Sequence, residues 1–224
     1  MEPHAQIVES YQRLLAAHGY TPKALGWDKG KQFLRFHQLT SNWNLAGASV
    51  LDVGCGFGDF VSYLRFMNIA DCAYTGIDLV GEFVAEGKRR FASPTATFLQ
   101  AGLDDYAPPS TFDYVIASGT FNLKLQGIDG YEHIRKSLAR MFSLSNIAVS
   151  ADFISDKVDH AHAHNFNSAP ETILGMAYGL SRNVMLRNDY FPFEFCVTIY
   201  KDDSFGRETT TFPATESRLA FLKF

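Results

Sequence analysis

The stretch VLDVGCGFGDF, residues 50–60, sets Gly54, Gly56 and Gly58 at alternate positions between Asp52 and Asp59. Glycines this dense free the backbone for positive φ and let a ligand lie against bare chain. Twenty residues past Gly58, Asp78 ends the run Ala73–Ile77. That separation suits a carboxylate that hydrogen-bonds the two hydroxyls of a ribose. Both features point to a nucleoside-containing cofactor. A dinucleotide fingerprint reads G-x-G-x-x-G and brings a pyrophosphate onto a helix N-terminus. Here the spacing is G-x-G-x-G, and Asp59 stands where the last fingerprint glycine would. A carboxylate there repels a pyrophosphate and tolerates a ligand that carries a sulfonium and an ammonium.

A second group of chemically capable residues is DHAHAHNFNSAPE, residues 159–171, with His160, His162 and His164 at alternate positions. In an extended segment the three imidazoles share one face. Such a face can bind zinc, can line a pocket with one histidine as general base, or can be an exposed polar loop. No partner that would orient metal ligands is evident in the sequence, so no metal is expected. His164, beside Asn165-Phe166-Asn167, is the candidate base.

These residues must be positioned by regular elements. Strand-like runs fall at 49–53, 73–78, 96–100, 112–117 and 146–153. Helical spacing fills 59–67, 81–91 and 129–143 between them, the last with Tyr131, Ile134, Leu138 and Met141 on one stripe. Strands alternating with helices predict a parallel α/β sheet. Two further runs, 183–187 and 193–200, have no helix between them and predict a C-terminal antiparallel hairpin. Two amphipathic stretches, 5–18 and 31–39, precede the sheet. The expected fold is α/β, a doubly wound, mostly parallel sheet with that hairpin and an N-terminal helical cap. Residues 1–40 form the cap and 41–224 the binding domain. The glycines then sit at the carboxyl end of the first strand, where open α/β sheets bind ligands.

In this order the motifs resemble those of the class I S-adenosylmethionine-dependent methyltransferases. The first is Val50 to Gly58, the second Tyr74-Thr75-Gly76-Ile77-Asp78-Leu79, and the others are FLQAGLDDY (98–106) and FDYVIASGTFN (112–122). The resemblance implies S-adenosylmethionine as cofactor. It places Gly54, Cys55 and Gly56 against the methionine part, with Asp52 supporting the turn. It gives Asp78 the ribose hydroxyls and lets Leu79 pack on adenine. Gly102, Leu103 and Asp104 would edge the adenine, and Ser118 and Gly119 would face the amino-acid end. Leu103 stands where many members carry an aspartate for the adenine amino group, so Asp104 or backbone groups would take that contact. The superfamily commonly caps cofactor and substrate with N-terminal helices. In that role Trp27 would cover the cofactor and Arg35 would pair with its carboxylate through a guanidinium fork. The alternative is that Trp27 and Phe36 pack the helix onto the sheet while Arg35 is a solvated helix residue.

Composition narrows the partners. A net charge of −4 gives no electrostatic footprint for nucleic acid. The three cysteines have no paired spacing, and neither a secretory pattern nor an apolar run of membrane-spanning length is seen. A cytoplasmic protein with no membrane partner is expected. The expected reaction is methyl transfer to an O or N nucleophile of a small molecule. Alternatives are an RNA or protein methyltransferase and a non-catalytic cofactor-binding partner protein. The acceptor's identity and the oligomeric state are not fixed by the sequence.

Overall fold

The computed structural model describes residues 3–26, 31–91, 93–208 and 210–218. Trp27, expected over the cofactor, lies outside these residues. Seven strands form one sheet in the order β3-β2-β1-β4-β5-β7-β6. They are β1 (Ser49–Val53), β2 (Ala73–Asp78), β3 (Ala96–Gln100), β4 (Phe112–Ala117), β5 (Ser145–Ile154), β6 (Val184–Phe191) and β7 (Glu194–Tyr200). Neighbours from β3 to β5 run parallel, and β7 is antiparallel to both β5 and β6. The doubly wound sheet with its closing hairpin is therefore present, with strand ends within a few residues of those expected.

The sheet explains the apolar runs. Strands covered on both faces read as continuous hydrophobic stretches, and in β4 Tyr114, Val115, Ile116 and Ala117 are all buried. Alternate residues divide between two cores. Val50, Tyr74, Tyr114 and Ile116 join one core with Phe60 and Leu64. Leu51, Ile77, Val115 and Ala117 join the other with Ile134, Leu138 and Met141. The helices between strands are α3 (Asp59–Phe66), α4 (Gly81–Phe91) and α5 (Gly130–Leu144). Asp129 caps α5 by accepting from the Tyr131 and Glu132 amides, which satisfies donors the first turn leaves open.

Before the sheet stand α1 (Pro3–His18), a 3-10 turn at Pro22–Leu25 and α2 (Gln32–Thr40). Tyr11, Leu15 and Leu25 pack on a third, smaller core of Ala24, Phe57, Val80 and Phe83. Two later helices, α6 (Pro170–Tyr178) and α7 (Pro213–Arg218), have no counterpart in the sequence reading. Pro170, the first residue of α6, supplies a φ already suited to a helix start.

Candidate functional site

The topological switch lies between β2 and β4, either side of β1, and a cleft opens at the carboxyl ends of these strands. Its empty volume is about 1130 Å³ with solvent at the mouth included. The glycine turn forms one wall. Gly54 has φ +71°, and a Cβ there would meet Thr120 Oγ1 at 2.7 Å. Gly58 has φ +79° at the N-cap of α3, and a Cβ there would lie 2.6 Å from the Phe98 ring. Neither position admits a larger residue without strain. The amides of Gly54 and Cys55 both donate to the Ile77 carbonyl, which ties the turn to β2.

Asp78 is held at the start of the β2–α4 connection. One carboxylate oxygen accepts from Gly56 N at 2.9 Å and the other from Val80 N at 2.9 Å. Capping the α4 entry and facing the cleft are thus compatible roles. Burial raises its pKa to about 6 despite those donors. Asp52 is buried and accepts from the Tyr74 hydroxyl at 2.9 Å. Burial, opposed by that hydrogen bond and aided by Asp78 and Asp59, raises it to about 7. Asp59 is raised by burial against the pull of Arg90 and a hydrogen bond from Gln32.

Most of the expected site residues come together here. Asp52, Gly54, Cys55, Gly56, Asp78, Leu79, Gly102, Leu103, Asp104, Ser118 and Gly119 all line the cleft. Four carboxylates, Asp52, Asp59, Asp78 and Asp104, face it, and among the described residues no Lys or Arg does. Such a lining favours a cationic ligand and disfavours a phosphate.

Two expectations give way. Arg35 does not line the cleft. Its Nε and Nη2 donate to the two carboxylate oxygens of Glu194 at 2.6 and 2.5 Å, and its guanidinium lies 5.0 Å from the centre of the Phe191 ring. The fork expected for a cofactor carboxylate is spent within the protein. His164 also stands apart, beside a second groove formed with Gln6, Arg13 and Lys124. The cause is backbone pairing. Lys124 N donates to His164 O, Phe166 N donates to Asn122 O, and Leu123 bridges Asn165. This pins the loop to the segment after β4 and leaves the imidazole exposed. The three histidine rings do neighbour one another, at 5.3 and 5.6 Å between centroids. Among the described residues no group of three histidines, cysteines or carboxylates could hold a metal ion.

The sequence reading missed residues that α1, α2 and α5 bring to the cleft: His4, Tyr11, Gln32, Phe36 and His133. His4 lies over Gly102, where a Cβ would meet its ring at 2.9 Å. Burial lowers the His133 pKa, with Asp104 opposing and His4 adding to the effect. Its signal was present, since His133 and Ser137 follow helical spacing beside the apolar stripe of α5. Helix α1 is fastened across the cleft by its outer side chains. The Gln6 amide donates to Gln126 O at 3.0 Å and accepts from Gln126 N at 2.7 Å, and Gln12 Nε2 donates to Glu82 Oε1 at 3.0 Å.

The chain is similar to known proteins. Residues 50–144 match the methyltransferase domain family. A protein of Mycobacterium tuberculosis named "Putative methyltransferase Rv1506c" is 28% identical over 159 residues, which cover 68% of this chain and 93% of that protein. Phthiotriol/phenolphthiotriol dimycocerosates methyltransferase of the same organism is 28% identical over 107 residues, 47% of this chain and 37% of that enzyme. Among solved structures, magnesium protoporphyrin IX methyltransferase from Synechocystis PCC 6803 with bound S-adenosylhomocysteine aligns with a TM-score of 0.65 and 12% identity, covering 89% of this chain and 100% of that one. The DhpI complex with S-adenosylhomocysteine aligns at 0.64 with 16% identity, covering 88% and 95%. At these identities the structural likeness is one of fold.

Proposed function

Because the chain is a class I S-adenosylmethionine-dependent methyltransferase, we propose that it methylates an O or N nucleophile of a small molecule. The observation that carries this reading is the cover over the cleft. Gln32 and Phe36 of α2 and His4, Ile7 and Tyr11 of α1 close over a site lined by the sheet's carboxyl ends. A cleft roofed by helices suits an acceptor small enough to enter it, whereas an RNA or a folded protein needs an open approach. The net charge of −4 also gives no basic surface for nucleic acid. Two of the similar proteins are named for acceptors of small-molecule kind, a porphyrin and a phthiotriol lipid.

The residues present fit the cofactor. The glycine turn offers bare backbone, Asp78 stands ready for ribose hydroxyls, and Leu79, Gly102, Leu103 and Asp104 line the adenine side. Asp52 and Asp59 place negative charge beside the turn, where a sulfonium and an ammonium are favoured. When bound, the cofactor supplies an activated methyl group. The chain's own contribution is to hold the two reactants in line and to exclude water, which is the work of the α1 and α2 cover.

The test is turnover. Release of S-adenosylhomocysteine is measured against fractionated small metabolites, total RNA and a protein extract in parallel. Methylation confined to a small-molecule fraction is expected. Labelling of RNA or protein alone would overturn the acceptor class, and binding without turnover on any fraction would favour a non-catalytic partner protein.

A further inference from the structure

On the β5 side of the cleft, three charges meet that lie far apart in the chain. Asp152 of β5 is 1% exposed. Its Oδ1 accepts from Gly119 N at 2.6 Å and its Oδ2 from Ser118 Oγ at 2.8 Å. Asp152 pairs with Cys196 across the β5–β7 ladder, and Glu194 stands two residues along β7, so both carboxylates share one sheet face. Arg35 of α2 joins them, bidentate on Glu194 and electrostatically favourable to the Asp152 anion.

Ser118 and Gly119 line the cleft, and Gly119 turns there with φ +71°. The next residue, Thr120, donates its hydroxyl to Val53 O at 2.9 Å, which brings this turn against the glycine turn. One buried carboxylate therefore takes both donors of the Ser118–Gly119 turn and fixes which of its atoms face the ligand.

We propose that Asp152 is a positioning residue for the amino-acid end of the cofactor, holding the Ser118–Gly119 turn in its binding shape while Arg35, itself fixed by Glu194, offsets the charge. This rests on the reading that the methionine part lies along Ser118 and Gly119. The effect is confined to one end of the ligand, because the adenine and ribose sides are built from other loops. Asparagine preserves the pattern, since its oxygen can accept from Gly119 N while its amide donates to Ser118 Oγ; alanine keeps neither bond.

The experiment compares two ligands by calorimetry. S-adenosylhomocysteine carries the amino-acid end, and 5′-methylthioadenosine lacks it. For Asp152→Ala, binding of S-adenosylhomocysteine should weaken at least tenfold while that of 5′-methylthioadenosine changes less than twofold. Ser118→Ala removes one of the two bonds and should show the same selectivity at about threefold; it also serves if Asp152→Ala does not fold. Equal weakening of both ligands would reduce Asp152 to a structural role and overturn the proposal, as would unchanged binding of both. Failure of the unmodified protein to bind S-adenosylhomocysteine would instead sink the cofactor reading on which the proposal stands.

Discussion

The two walls of the cleft are made in different ways. On the β1–β2 side, binding groups come from short contiguous stretches, residues 52–59 and 78–79, and are largely backbone held by backbone. On the β5–β7 side, the polar groups are side chains from distant parts of the chain, and Arg35 and Glu194 lie 159 positions apart. The first wall is a local property of sequence. The second exists only after α2, β5 and β7 have packed together. Loss of a residue from the first should impair binding alone; loss of Arg35, which ties the second together, should impair the fold.

The largest effect is expected for Arg35→Ala. It leaves Glu194 and Asp152 beside each other without their shared cation. Removing one partner of a buried pair costs about 3–5 kcal/mol, to be read from denaturant unfolding of the ligand-free protein. Unchanged stability with weakened cofactor binding would return Arg35 to the ligand-contacting role expected from the sequence. Asp78→Ala tests the other wall. It should weaken S-adenosylhomocysteine binding by about 1.5–3 kcal/mol, the range for a hydrogen bond to a charged group. The unfolding midpoint should move far less than for Arg35→Ala.

A pH titration separates the walls further. Burial raises Asp52 to about 7, Asp78 to about 6 and Asp152 to about 6, all above the ordinary carboxylate value of 3.8. Between those limits the folded chain binds protons that the unfolded chain has lost. Their contribution to stability is fully present below the ordinary value and fades as pH rises through about 6 to 7. Thermal unfolding of the ligand-free protein should therefore occur at a lower temperature at pH 8 than at pH 5.5. Asp52→Asn and Asp152→Asn should each flatten that slope from its own wall. A midpoint that rises with pH would contradict the assignment. The smallest effect is expected for His164→Ala, whose ring lies outside the cleft. Turnover should change less than twofold, and a loss of tenfold or more would restore His164 as a base.

What could be read in the sequence follows the same division. The strands were legible because burial on both faces leaves unbroken apolar runs, as in residues 114–117. The glycine turn was legible because backbone that must take positive φ leaves a residue-type signature at fixed spacing. Arg35 was expected on the cofactor's carboxylate, and no spacing could reveal that Glu194, 159 positions away, would take its guanidinium. His164 was misplaced because its direction depends on the Leu123–Asn165 bridge, a contact between loops with no periodicity. Tyr11 was read as one apolar position on an amphipathic helix, and only the packed structure shows that α1 spends this face on the cleft.

Helix α1 crosses the cleft and is clasped on its outer side by exposed glutamine amides. Each such bond contributes only about 0.5–1.5 kcal/mol net, since water replaces it readily. The inner face of the helix adds Tyr11 and Leu15, packed on the small third core. Departure of whatever lies beneath then requires both holds to loosen together. The residence time of spent cofactor, and with it the ceiling on turnover, is set by that packing and by three side-chain bonds at the rim, two between Gln6 and Gln126 and one from Gln12 to Glu82.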